Sequence, residues 1–288
     1  MKVAILGSSG FLGSHIYKEL KNKFKIYHTG LIKRKFDLNK INQLKNFIIS
    51  SNPDFIINCA AIANIEKCEK ERNKSFNINV KLLKNIFIVR KKFNLQFKLI
   101  HFSTDQLYDN KLNKVNSEKS KIKINNTYSL HKYLAEKICK KNKSIIFRTN
   151  FFGKNKNSFS NWVCKNFKNK KKQKFFLFKD AYFSPLRVNT IAKVIKKIIN
   201  KKLFSHEGIY NLGSRNGLSK LEFSILYAKK LGIFCKKKFI SSNVNNIVKV
   251  KRSKNMKMNV TKFEKYFNIK MNTLNNEIKL EAKQNAKN

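Results

Sequence analysis

A chain of 288 residues with 42% hydrophobic side chains has enough material for a sizeable core, so it suits one large α/β domain or a large domain with a smaller one attached. Its 64 basic and 16 acidic residues give a formal charge of +48, which taken alone suggests a polyanion partner. Only seven of the cations are Arg, however, and Lys runs through nearly every segment, which speaks for a solvated lysine-rich surface and against a dedicated nucleic-acid site.

In chain order, apolar runs of strand length alternate with helix-period segments: Val3-Leu6, a helix from Phe11 to about Leu20, Lys25-His28, and a helix near Ile41-Ile49. The alternation continues with Phe55-Cys59, a helix near Ser75-Phe93, Lys98-Phe102, a helix from about Tyr128 to Cys139, and Ser144-Arg148. Fully apolar strands between helices predict an α/β fold with a Rossmann-type doubly wound parallel sheet. Beyond Arg148 come a loop-rich region, a Lys-rich helix around 161–172, a strand at Phe175-Phe178, a helix at Val188-Asn200 and a strand at Gly208-Leu212. Helical segments at 219–231 and 261–267 follow, and 281–288 reads as a polar, frayed tail. The expected division is a dinucleotide-binding domain over 1–150, rejoined by about 186–212, and a smaller substrate-binding cap over 151–185 and 213–288.

Five cysteines, odd in number and without a CxxC pair or a His at ligand spacing, fit a reduced intracellular chain with no metal site. Met1-Lys2 runs straight into the first strand, and no stretch approaches the ~18 apolar residues of a membrane span, so a cytoplasmic protein with no membrane partner is expected.

Gly7-Ser8-Ser9-Gly10-Phe11-Leu12-Gly13 follows the first strand and opens a helix, which is the setting a dinucleotide fingerprint requires. Gly7 permits the tight turn, Gly10 lets backbone approach a pyrophosphate, and Gly13 lets the helix close on the strand. No acidic residue ends the second strand, whereas Lys33 and Arg34 follow it, which favours a 2′-phosphate and hence NADPH over NADH. Asp37-Leu38 could instead meet the adenine edge. The small residues Cys59-Ala60-Ala61 after the third strand would let a ribose approach.

Tyr128 and Lys132 stand four apart on a helix and so share a face. A phenol titrating near ~10 needs a neighbouring cation before it can exchange protons at neutral pH, and Lys132 would supply it. Thr104, ending the fourth strand, could hold a carbonyl oxygen beside Tyr128. His101 and His131 read as structural, and Cys59 as no nucleophile.

With these residues in view, the chain resembles an extended short-chain dehydrogenase/reductase, and most closely the dTDP-4-dehydrorhamnose reductase family. The resemblance rests on the glycine turn, on Asn52 to Ala61, Phe102-Ser-Thr-Asp-Gln-Leu-Tyr108, Tyr128-Ser-Leu-His-Lys132, Phe147-Arg-Thr-Asn150 and Asp180 to Pro185. It implies NADPH- or NADH-dependent reduction of the 4-keto group of a nucleotide-linked deoxysugar for cell-surface polysaccharide, with catalytic Thr104, Tyr128 and Lys132. It also implies a sugar site at Thr104, Asp105, Asn150, Phe151 and Phe152, and a homodimer is compatible with it. His131 before the Lys, Asn125 upstream of the Tyr, and Phe151 in place of the usual Trp depart from the family pattern. The alternatives are an epimerase or dehydratase of the same fold, or a non-catalytic subunit like that of methionine adenosyltransferase.

Overall fold

A computed structural model describes residues 1–30, 36–169, 174–203 and 205–286. In chain order the elements are β1 (Lys2–Leu6), α1 (Phe11–Leu20), β2 (Lys25–His28), α2 (Ile41–Ser51), β3 (Phe55–Asn58), α3 (Ile65–Lys70), α4 (Arg72–Phe76), α5 (Leu82–Lys92), β4 (Lys98–Thr104), α6 (Thr127–Lys141), β5 (Ile145–Thr149) and β6 (Phe151–Phe152). There follow α7 (Phe159–Lys168), β7 (Phe175–Phe178), β8 (Tyr182–Phe183), β9 (Leu186–Arg187), α8 (Val188–Asn200), β10 (Gly208–Leu212), β11 (Leu218–Ser219), α9 (Lys220–Lys230), β12 (Phe239–Ser242), α10 (Val244–Ile247), β13 (Asn255–Met256), α11 (Thr261–Phe267) and α12 (Leu274–Ala286).

The first compact unit comprises 1–104, 126–148 and 189–210. Its sheet runs β10-β5-β4-β3-β1-β2, and β1 pairs in parallel with both β2 and β3. The strand order therefore reverses between β1 and β3, and ligands of open α/β sheets bind at the carboxyl ends of such strands. Ala4, Leu6, Ile56, Leu99 and Ile146 from the strands are buried against Leu44 and Ile48 of α2, Ile86 of α5 and Ala135 of α6. Val3, Ile5, Phe55 and Ile57, which alternate with them and point to the opposite face, are fully buried too, so the strands are apolar on both faces. Between α4 and α5 a π turn at Asn77–Lys81 interrupts the helix expected over 75–93. Asn79 is buried there and binds both the N–H and the C=O of Ile62.

The second unit gathers 105–125, 149–188 and 211–288. The stretch 105–125, which the sequence reading placed in the dinucleotide domain, groups here because Asn116 and Asp109 bond the backbone of residues 254 to 257. An aromatic core of Phe152, Phe167, Phe175, Phe183, Phe223 and Tyr227 holds the unit together. The tail expected to fray from 281 is instead part of α12, where Leu274 and Ile278 enter that core. Glu281 is buried on the Arg187 guanidinium at 2.9 Å, so its polarity marks an ion pair and not exposure.

Candidate active site

Strand β1 ends in Gly7, whose φ of +76° is a left-handed conformation that side chains resist. A Cβ there would stand 2.7 Å from the Ala60 nitrogen, and one on Gly13 would stand 2.3 Å from the Gly7 carbonyl oxygen. Both glycines are thus fixed by close backbone approach. Gly10 differs: it caps α1, and an added Cβ would meet only the Gly7 oxygen, at 3.2 Å. No side chain caps α1 and no acidic residue lies in its first turn. The opening N–H groups, which have no acceptor within the helix, and the positive end of the helix dipole are matched to an anion. These residues fit a dinucleotide pyrophosphate.

The turn is also held from β2. Gly7 N–H donates to Thr29 Oγ1 at 3.2 Å, and Gly30 N–H donates to Ser8 Oγ at 2.9 Å. A Cβ on Gly30 would lie 2.4 Å from the Ser9 nitrogen. Sequence reasoning missed Thr29 and Gly30; the available signal was a glycine directly after a strand in a chain holding only nine. Ser9 is exposed and Phe11 half-buried, whereas Leu12 is buried, so Leu12 can offer a ligand only its backbone.

Cys59 N–H donates to the Leu6 carbonyl at 2.9 Å, which lays Cys59-Ala60-Ala61 beside the glycine turn. Burial pushes the Cys59 thiol well above its usual value, so it is not a nucleophile at neutral pH. Asp37 Oδ1 accepts from the N–H and side-chain amide of Asn39, and Leu38 rests on the core of the unit. Lys33 and Arg34 lie outside the described residues.

Helix α6 is anchored at its start by two devices. Asn126 and Ser129 form a reciprocal capping box. Glu69 of α3 takes the Thr127 N–H at 2.6 Å and the Thr127 hydroxyl at 2.8 Å, and these bonds, with Arg72, hold its carboxyl below the usual range. Tyr128 thereby sits in a fixed first turn, with Lys132 one turn on and both buried. Lys132 Nζ donates to the Phe102 carbonyl at 2.5 Å and lies 3.4 Å from His101 Nε2. That carbonyl is two residues from Thr104, the buried last residue of β4. Burial lowers Lys132 to about 8. His131 bonds Ser75 Oγ at 2.8 Å and meets the Phe76 ring edge-on, a packing role as expected. His101, also read as packing, is a neighbour of Lys132, and sequence alone gave no register to reveal it.

Within the second unit, Asn150 donates to the buried Asp105 carboxylate at 2.8 Å, so two of the expected sugar-site residues come together. Phe151 is half-buried. Phe152 is not a surface group: only 1% of it is exposed, and it packs edge-on against Phe223 and Tyr227. Alternation along β6 explains the correction, since one of two adjacent Phe residues must enter the core. Among the described residues no group of His, Cys, Asp or Glu could hold a metal ion, and no helix is long and apolar enough to cross a membrane.

The RmlD substrate binding domain model matches residues 1–286 of this chain. The spore coat polysaccharide biosynthesis protein SpsK of Bacillus subtilis is 24% identical over 237 residues, covering 81% of this chain and 80% of that protein. A dTDP-4-dehydrorhamnose reductase of Aggregatibacter actinomycetemcomitans is 24% identical over 230 residues, covering 78% of this chain and 77% of that one. Among solved structures, a dTDP-4-dehydrorhamnose reductase of Clostridium acetobutylicum superposes with a TM-score of 0.88 at 22% identity, over 99% of this chain and 100% of that one. One from Bacillus anthracis, in complex with NADP, gives 0.87 at 22% identity, over 98% and 99%.

Proposed function

This chain belongs to the RmlD substrate binding domain family, and we propose that it is an NAD(P)H-dependent reductase acting on the 4-keto group of a nucleotide-linked deoxysugar, dTDP-4-dehydrorhamnose being the first candidate. The observation that carries the reading is the pairing of Tyr128 and Lys132 on one buried face of α6, with Lys132 Nζ bound to the Phe102 carbonyl two residues before the end of β4. The sugar class comes from the relatives, whose reductase names match the motifs around Thr104 and Tyr128.

The glycine turn would hold a nicotinamide dinucleotide, whose reduced ring would supply the hydride. The backbone N–H groups of Gly10 to Gly13 would hold its pyrophosphate at the start of α1. Thr104 would donate its hydroxyl hydrogen to the ketone oxygen, and Tyr128 would deliver the proton that this oxygen needs on reduction. Lys132 would favour the phenolate left behind and would hydrogen-bond the ribose of the dinucleotide. Lys33 and Arg34 are suited to a 2′-phosphate, and the relative from Bacillus anthracis was crystallised with NADP, so NADPH is the preferred donor.

The test is NADPH oxidation, followed by the loss of the reduced nicotinamide ring's near-ultraviolet absorption, against a panel of 4-keto sugar nucleotides. Turnover should occur with a member of the panel and disappear in Tyr128→Phe. Retained turnover in that variant would sink the assignment of Tyr128, and none with any 4-keto sugar nucleotide would sink the substrate class.

A further inference from the structure

Four groups of the first unit form a continuous row. Asn58 and His101 are register partners on β3 and β4, and both are buried. The Ala60 N–H donates to Asn58 Oδ1 at 3.1 Å; Asn58 Nδ2 lies 3.3 Å from His101 Nδ1; and His101 Nε2 lies 3.4 Å from Lys132 Nζ. Lys132 then donates to the Phe102 carbonyl.

The donor inventory fixes the polarity of this row. A backbone N–H can only donate, so the Asn58 atom facing Ala60 is the oxygen and the one facing His101 is the NH2 group. His101 Nδ1 must then accept. A neutral imidazole carries one N–H, which places it on Nε2, aimed at Lys132. An ammonium there has only donors, whereas an uncharged amine has a lone pair to accept. With the ammonium, a donor faces a donor at one link of the row whichever way Asn58 and His101 are set. With the amine every link is satisfied.

We infer that Asn58 and His101 are positioning residues that select the uncharged amine of Lys132, with His101 held as the Nε2–H tautomer and Asn58 setting the direction of the row. Burial acts the same way, lowering Lys132 to about 8 and His101 well below its ordinary value. The other groups acting on Lys132 are Cys59 after β3, Cys68 of α3, and Glu136 and Cys139 of α6. Glu136 is already engaged by Arg148 and the thiols are protonated, so none offers Lys132 a full counter-charge. The inference bears on catalysis only under the reading above, where ribose hydroxyls would accept from Lys132 and favour its ammonium, the proton coming from solvent. Its test needs neither dinucleotide nor sugar.

The experiment is 15N NMR of the full-length protein labelled at histidine, without dinucleotide, at pH 9, above the Lys132 titration, with the His101 signals assigned from their loss in His101→Gln. The expected result is a protonated Nε2 and a bare Nδ1. Asn58→Asp then puts an acceptor where the NH2 group stood. It should turn His101 to the Nδ1–H tautomer and raise the Lys132 titration, read from lysine 13Cε shifts, at least tenfold in proton affinity. A through-space effect of the new charge would raise Lys132 without moving the tautomer, and that outcome overturns the inference. So does a wild-type His101 protonated on Nδ1, which decides the matter alone should Asn58→Asp fail to fold. Failure of the reductase reading would leave these spectra unchanged.

Discussion

The Arg148 guanidinium and the Glu136 carboxylate are joined by two hydrogen bonds, Nε to Oε1 at 2.9 Å and Nη2 to Oε2 at 2.7 Å, with both side chains 3% exposed. The pair fastens β5 to α6, the helix that carries Tyr128 and Lys132. In sequence Arg148-Thr149 belongs to the motif set that implies a sugar-nucleotide substrate; in the fold Arg148 braces the helix and touches no surface.

Glu136→Gln should therefore destabilise the protein by ~3–5 kcal/mol, because it takes the carboxylate counter-charge from a buried guanidinium. Replacing both residues, Glu136→Leu with Arg148→Met, should recover most of that loss. Urea denaturation of the two variants checks it; equal stability of single and double variants would show that the pair is not the brace.

Lys132 titrates near 8 in the folded protein, below the ~10.4 of an exposed lysine. Between those values the unfolded chain holds a proton that the folded one has lost, so this group's contribution to stability rises with pH. Below that window it costs on the order of 3 kcal/mol. Lys132→Met should stabilise the protein at pH 7, by more than it does at pH 9.5, while abolishing reduction. Denaturant midpoints at the two pH values test this, and a gain independent of pH would refute it.

Gly10 and Gly13 should part company. Gly13→Ala drives a Cβ to 2.3 Å from a backbone oxygen and should cost ~1–3 kcal/mol of stability. Gly10→Ala meets little within the protein, so its melting temperature should hold while NADPH affinity falls at least tenfold. Melting curves and fluorescence titration with NADPH separate the two. The dinucleotide site would have to be placed elsewhere if Gly10→Ala bound normally.

The adjacent phenylalanines offer a similar contrast. Phe152→Ala empties a core position and should cost ~3–5 kcal/mol. Phe151→Ala should lose far less stability and instead raise KM for the sugar nucleotide. Thermal melting with steady-state kinetics distinguishes them, and a KM effect confined to Phe152→Ala would reverse the assignment.

Much of the first unit was legible because its signals are local. The apolar strands and the periodicity of 11–20 and 188–200 give those elements to the residue or nearly so. The glycine turn was readable from its setting, and the Tyr128/Lys132 face from its spacing. What escaped depends on pairing between distant segments. Glu281 reads as tail until Arg187 is placed beside it, and Phe152 as pocket until β6 is known to alternate. His101 reads as filler until β3 and β4 are in register with Asn58. A charged or polar residue bound for a buried partner looks, in one dimension, like one bound for water.

The two units each draw on three separate stretches of chain, and those stretches interleave. By Tyr210 a nascent chain holds every residue of the first unit, whereas the second still lacks α12 and with it the Glu277 and Glu281 carboxylates that engage Arg187. On the ribosome the first unit can close while Arg187 waits, so the aromatic core of the second is the surface that a chaperone would meet during synthesis. No cut of the gene at one place yields either unit free of the other's residues, which makes this chain a poor source of separable modules despite its two cores.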